Sequence, residues 1–273
     1  MSEHSIIVRG DDDGDIDRSD HTFVVPAYKN SPFLANCLAS LRAQTLPARI
    51  LVTTSTPSAQ LSATAARFGV EVIANPQQRG IGADWNFALD QVTTRYVTLA
   101  HQDDLYAPGF LAKSLDLFTR FPGATISFTN VRQINDNAVP QGSKVSAVKE
   151  LLLALFVGRR EIVQGLRGRL LLSFGDPVTC SSVTFDRARL GAFRFSETLT
   201  SNLDWEAWLD LIERGDHFAY SPERLVKRRY TDLMETAHAL RDGRRRTEDA
   251  MIFRRLWPRP VARVIAFAYS AGY

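Results

Sequence analysis

Asp103 and Asp104 stand side by side in the stretch YVTLAHQDDLYAPGF, residues 96–110. An apolar run, Tyr96 to Ala100, leads straight into His101-Gln102-Asp103-Asp104, and Pro108 then opens a helix. Two carboxylates at the end of a buried strand are expensive to desolvate unless something positive sits on them. In open α/β sheets that end of the strands is where ligands bind. The pair suits a hard cation such as Mg²⁺ or Mn²⁺, which prefers carboxylate and phosphate oxygens. A solvated Asp-Asp turn capping the next helix accounts for the same residues. A third acid, Asp204, begins a helix whose apolar face carries Trp205, Trp208 and Leu209. It suits either a helix cap or a general base toward a hydroxyl.

Other chemistries lack their residues. There is no Walker loop, and Gly80-Ile81-Gly82 is not completed to the dinucleotide fingerprint. No GxSxG elbow or HExxH pairing occurs. The two cysteines, Cys37 and Cys180, have no metal-like spacing and read as buried thiols.

The elements that must position these acids follow from hydrophobic patterning. Apolar runs at residues 22–27, 49–53, 70–74, 96–100 and 124–129 read as strands. Between them lie helical spacings: Leu34, Leu38 and Leu41; Leu61, Ala65 and Phe68; Trp85, Leu89 and Val92; Leu111, Leu115 and Phe118. Four strand–helix–strand repeats predict an α/β fold with a parallel sheet. Beyond Asn130 the rhythm stops. An amphipathic helix is expected over 145–157 with Val148, Leu151, Leu152 and Leu155 on its face, then an arginine-bearing helical stretch over 158–172 and a strand over 178–185.

The 273 residues carry a net charge of +3, unevenly distributed. Residues 1–20 carry seven acids and two bases, and residues 227–273 eleven bases and five acids. The first stretch is expected to be a disordered acidic tail. The basic tail is expected to pack on the domain or touch an anionic membrane, with no nucleic-acid partner. The absence of a long apolar run or signal-like start makes a cytoplasmic location the expectation, with peripheral contact at the inner face of the membrane.

Four segments in order resemble the inverting family 2 glycosyltransferases of GT-A fold, across roughly residues 20–235. They are FVVPAYKN from Phe23, NPQQRGIGADWNFAL from Asn75, YVTLAHQDDLYAPGFL from Tyr96 and LDWEAWLDL from Leu203. The resemblance implies a GT-A domain over 21–235, with a nucleotide-sugar half (21–130), an acceptor half (131–235) and a basic helical extension over 236–273. It implies transfer of a sugar from a nucleotide diphosphate to a saccharide or glycolipid hydroxyl, on the pattern of lipopolysaccharide or capsule synthesis. Pro26, Ala27, Tyr28, Thr54, Gln102 and Asp103 would hold the nucleotide, with Arg79 and Asn86 at its sugar. Asp104, with Asp103, would bind Mn²⁺ or Mg²⁺, and Asp204 would be the base. Arg228, Arg229 and Tyr230 would form a loop closing over the diphosphate.

The chain departs from the family pattern in three places. Thr53-Thr54-Ser55-Thr56 stands where many relatives carry an acid that holds the base. His101 replaces the first acid of the metal motif, and Tyr230 a frequent histidine. A nucleotidyltransferase on a similar architecture stays open, though the loop AYKNSPF has one lysine and no glycine. So does a non-catalytic nucleotide-sugar or saccharide-binding relative.

Overall fold

The computed structural model describes residues 20–230 and 243–270. The acidic stretch over 1–19 and residues 231–242 of the basic segment lie outside the described residues. The alternation runs as β1 (His21–Ala27), α1 (Leu34–Arg42), β2 (Arg49–Thr54), α2 (Ala59–Ala66), β3 (Glu71–Ala74), α3 (Ile81–Asp90) and β4 (Tyr96–Leu99). Then come β5 (Leu105–Tyr106), α4 (Phe110–Arg120), β6 (Ala124–Ile134), α5 (Lys144–Phe156), β7 (Ile162–Val163) and α6 (Gly165–Leu172). β8 (Val183–Asp186), α7 (Arg187–Leu190), α8 (Leu203–Arg214), β9 (His217–Arg229), α9 (Arg244–Leu256) and α10 (Arg259–Ser270) complete the described chain.

The strands form one sheet in the order β3-β2-β1-β4-β8-β6-β9-β5, with β7 also paired to β9. The first four are parallel, as the repeats predict. The fourth repeat departs from the expected winding. β8 is inserted between β4 and β6 and runs antiparallel to both. Its side chains suit that central place: Val183 and Phe185 are fully buried, and the Thr184 hydroxyl lies 2.7 Å from that of Thr98. The Thr98 hydroxyl in turn lies 2.9 Å from His21 Nε2, which satisfies polar groups that the buried sheet would otherwise leave costly.

β9 has no clear signal in the sequence, because Pro222 and several charges interrupt its apolar residues. It still pairs with β6 over most of its length, and a register shift between Ser221 and Arg224 lets the chain pass Pro222.

Two expected helical features are corrected. α5 buries Leu152 and Leu153 but leaves Val148, Leu151 and Leu155 exposed. Its run LLLALF offers two apolar stripes, and the core takes the other one. The stretch 158–172 is broken by a positive-φ Glu161 and by β7, leaving a single 3₁₀ turn at Gly158–Arg160 before it and α6 after it.

The carboxyl-terminal helices are not an appendage. Ile252, Phe253 and Ala262 belong to the same core as Trp205 and Trp208. Phe253 meets the Trp205 ring edge-on with centroids 5.1 Å apart, and the Trp257 indole donates to the Ser173 carbonyl at 2.9 Å. No helix among the described residues is long and apolar enough to cross a membrane.

Candidate active site

A cleft of about 780 Å³ opens at the carboxyl ends of β1, β2 and β4 and reaches the start of α8. Pro26, Ala27, Tyr28, Thr54, Gln102, Asp103, Asp204 and Arg228 all line it. Local bonds fix its floor. Gln102 pairs twice with the main chain of Tyr28: Oε1 accepts from Tyr28 N and Nε2 donates to its carbonyl, each at 3.2 Å. The half-exposed Tyr28 ring is therefore presented to the opening, with the Lys29 ammonium 5.1 Å from its centroid. Lys29 turns through the left-handed region, φ 56°, and its N–H donates to the Thr56 hydroxyl at 2.6 Å.

The two adjacent acids part company. Asp103 lines the cleft. Asp104 is 1% exposed and faces inward, where Oδ1 accepts the Arg229 N–H at 2.8 Å. Burial raises the pKa of both. Asp104 is pushed up to about 7, by loss of solvent first and the Asp103 charge second. The His101 imidazole, 5.2 Å from the Trp85 ring, is held down at about 3 by burial and then by the Arg228 charge, so it is neutral.

Asp204 sits in the first turn of α8, where the helix dipole favours a carboxylate. Its Oδ1 accepts the N–H of Trp205 at 2.9 Å. The helix is anchored by its indoles. Trp205 donates to Leu172 O at 2.9 Å and Trp208 to Val178 O at 3.1 Å, and both rings are fully buried.

Residues 22–182 match the profile of Glycosyl transferase family 2. The chain belongs to that family. No curated protein sequence matches it. Among solved structures, the family 2 chain is similar to S. aureus TarS 1-349 in complex with UDP-GlcNAc. Identity is 16% and the TM-score 0.62, over 80% of this chain and 60% of that one. It is also similar to the mannosyltransferase PcManGT from Pyrobaculum calidifontis in complex with GDP-Man and Mn²⁺. There identity is 16% and the TM-score 0.62, over 92% of this chain and 69% of that one. The chain thus spans about 60% of the TarS fragment's length. At such identities the likeness establishes the GT-A fold.

Several residues expected at the family's site lie elsewhere. The Asn86 amide is spent on the Phe195 main chain: Nδ2 donates to its carbonyl at 2.9 Å and Oδ1 accepts its N–H at 2.8 Å. A Cβ on Gly82 would collide with the Ser196 carbonyl, so only glycine lets α3 approach this loop so closely. Arg79 pairs with Glu197 at 3.3 Å over a neighbouring groove of about 470 Å³. Arg229 is 1% exposed and bonds the carbonyls of Asp103, Asn135 and Asp136, with its guanidinium 4.1 Å from the Phe33 ring centroid. It is an internal brace for β9, not a cleft arginine. Tyr230 extends that strand by donating its N–H to Ile134 O at 2.9 Å.

Residues in the cleft and beneath it gave no sign in the sequence. Asp84 of α3 accepts from the Ser55 hydroxyl at 2.8 Å and from Asn75 Nδ2 at 2.9 Å, tying the end of β2 to α3. It brings an acid to the region where the Thr/Ser stretch lacks one. Asp176 is buried near Asp204 and pushed up to about 8, by desolvation first and the Asp204 charge second. Lys149 shares this corner. Arg244 of α9 also lines the cleft.

The donor set suits a divalent ion that brings its own substrate ligands. Among the described residues no three His, Cys, Asp or Glu side chains gather as a cage. Mg²⁺-like ions are usually held by one or two carboxylates together with phosphates and water, and Asp103 offers one carboxylate to the cleft.

Proposed function

We propose that this chain transfers a sugar from a nucleotide diphosphate to a hydroxyl acceptor with inversion at the anomeric carbon. One observation carries the reading: Asp103, after β4, and Asp204, at the start of α8, line the same cleft. The donors named for its structural neighbours, UDP-GlcNAc and GDP-Man, support the donor class.

In this reading Tyr28 covers the nucleotide base while Thr54 and the main chain of Pro26 and Ala27 meet its edge. Asp103 meets the diphosphate end and would hold Mn²⁺ or Mg²⁺. When bound, such an ion offsets negative charge on the leaving diphosphate. Arg228 adds fixed positive charge to the same end. Asp204 takes the proton of the acceptor hydroxyl as its oxygen bonds to the anomeric carbon and the bond to the diphosphate breaks. The acceptor is a saccharide or glycolipid.

A thermal-shift panel of nucleoside diphosphates and their sugars, with and without Mn²⁺, tests the donor class. One nucleotide should raise Tm by several degrees at saturating concentration, as a ligand selective for the native state must. A panel with no stabilising nucleotide would sink the reading.

Membrane contact is part of the proposal. α10 leaves Val264 and Phe267 exposed at 69% and 78%, with Arg259 and Arg263 exposed on the same helix. Apolar and basic side chains together suit an anionic lipid surface. Phe267→Glu is expected to lower co-sedimentation with anionic vesicles severalfold; equal binding by the variant would rule this surface out.

A further inference from the structure

Glu248, in the second turn of α9, is 7% exposed and faces the loop before α8. Its Oε1 accepts from Thr200 N and Oγ1, both at 2.8 Å. Its Oε2 accepts from Ser201 N at 2.9 Å, Ser201 Oγ at 2.8 Å and Asn202 N at 3.0 Å. Next to it, Asp249 Oδ1 accepts Asn202 Nδ2 at 2.7 Å. Burial alone would raise the Glu248 carboxyl, but the hydrogen bonds from Thr200 and Ser201 outweigh it and hold the group below its ordinary range. Ionised acceptors form the stronger class of hydrogen bond.

The placement of these donors is specific. All five belong to three consecutive residues, and the next two, Leu203 and Asp204, begin α8. Thr200 and Ser201 themselves line the cleft. The Asp204 carboxylate accepts the N–H of its own neighbour, Trp205, so its aim is inherited from the main chain that precedes it. The indoles of Trp205 and Trp208 hold the body of α8, and Glu248 holds its entry.

We propose that Glu248, assisted by Asp249, is a positioning residue that sets the place of Asp204 from the carboxyl-terminal helix. This rests on Asp204 being the base. A displacement of about 1 Å at a reacting group can cost on the order of a hundredfold in rate.

The test is a double-variant cycle in the full chain, comparing wild type, Glu248→Ala, Asp204→Asn and the combination. The readouts are Tm, donor affinity, and kcat for transfer or acceptor-free donor hydrolysis, taken well below the lowest Tm. Glu248→Ala is expected to lower kcat about ten- to a hundredfold while donor affinity stays within about twofold. In the Asp204→Asn background the same change should cost nothing further, because residues acting as one unit are not additive. An equal loss in both backgrounds would reduce Glu248 to a fold staple, and an unchanged kcat for Glu248→Ala would overturn the proposal outright. Retained turnover by Asp204→Asn would instead remove the base assignment. If Glu248→Ala cannot be purified folded, Glu248→Gln carries the same cycle, since it keeps an acceptor oxygen but turns an amide N–H₂ on the donors.

Discussion

Asp204→Asn is expected to slow turnover by about two to four orders of magnitude, the usual worth of a positioned general base, with donor affinity unchanged. The substitution is nearly isosteric, and the amide oxygen can still accept the Trp205 N–H. Trp205 and Trp208 keep the helix in place, so Tm should move little. A second-order effect gives the result more content. Asp176 is raised to about 8 partly by the Asp204 charge. Removing that charge lets Asp176 ionise more readily, so its pKa falls and more carboxylate is present at neutral pH. The Asp176 titration should therefore move to lower pH in Asp204→Asn, which carboxyl chemical shifts followed against pH would show. Donor affinity by calorimetry and single-turnover rates separate the two quantities. Near-native turnover in Asp204→Asn would place the base elsewhere.

The second large effect divides the acidic pair. Asp103→Ala is expected to abolish the Mn²⁺-dependent part of nucleotide-diphosphate binding and leave Tm within about a degree, because Asp103 lines the cleft and is only partly buried. Asp104→Ala should do the reverse. It strands the buried Arg229 N–H, and an unsatisfied buried donor costs about 1–3 kcal/mol. For a chain of this size that is a fall in Tm of roughly 2–12 °C. Metal titrations on both variants, beside melting curves, decide the matter. If Asp103→Ala kept a wild-type Mn²⁺ response, the cation would have to be held elsewhere in the cleft.

This division reverses the roles read from the sequence, where Asp104 was the metal ligand and Asp103 its partner. The carboxylate pair itself was legible, because an apolar strand running into two acids is a local pattern. Which acid faces the cleft depends on β5. Leu105 pairs with Lys227 of β9, and that pairing turns Asp104 under the strand that carries Arg229. No local signal announces a partner more than a hundred residues away. Asn86 and Arg229 were misplaced for the same reason: their partners, Phe195 and the carbonyls of Asp103, Asn135 and Asp136, are distant in sequence. Strands β1 to β4 were legible because parallel repeats with short loops leave a regular rhythm. β8 and β9 break that rhythm, and β9 carries a proline and charges that hide it. The helical carboxyl-terminal extension was legible from its composition and spacing, and it packs on the domain through Ile252, Phe253 and Ala262.

The insertion of β8 between β4 and β6 also has a consequence for how the chain comes off the ribosome. β4 emerges with one side paired to β1 and the other unpaired until Val183–Asp186 has been made. At about 5–20 residues per second, that interval lasts on the order of 4–20 seconds. Throughout it the nascent sheet presents the buried Val97 and Leu99 strand as an open edge, the kind of surface that pairs with other chains. The centre of the sheet closes late, so newly made chains are most prone to aggregate after β1 to β4 have formed and before β8 arrives.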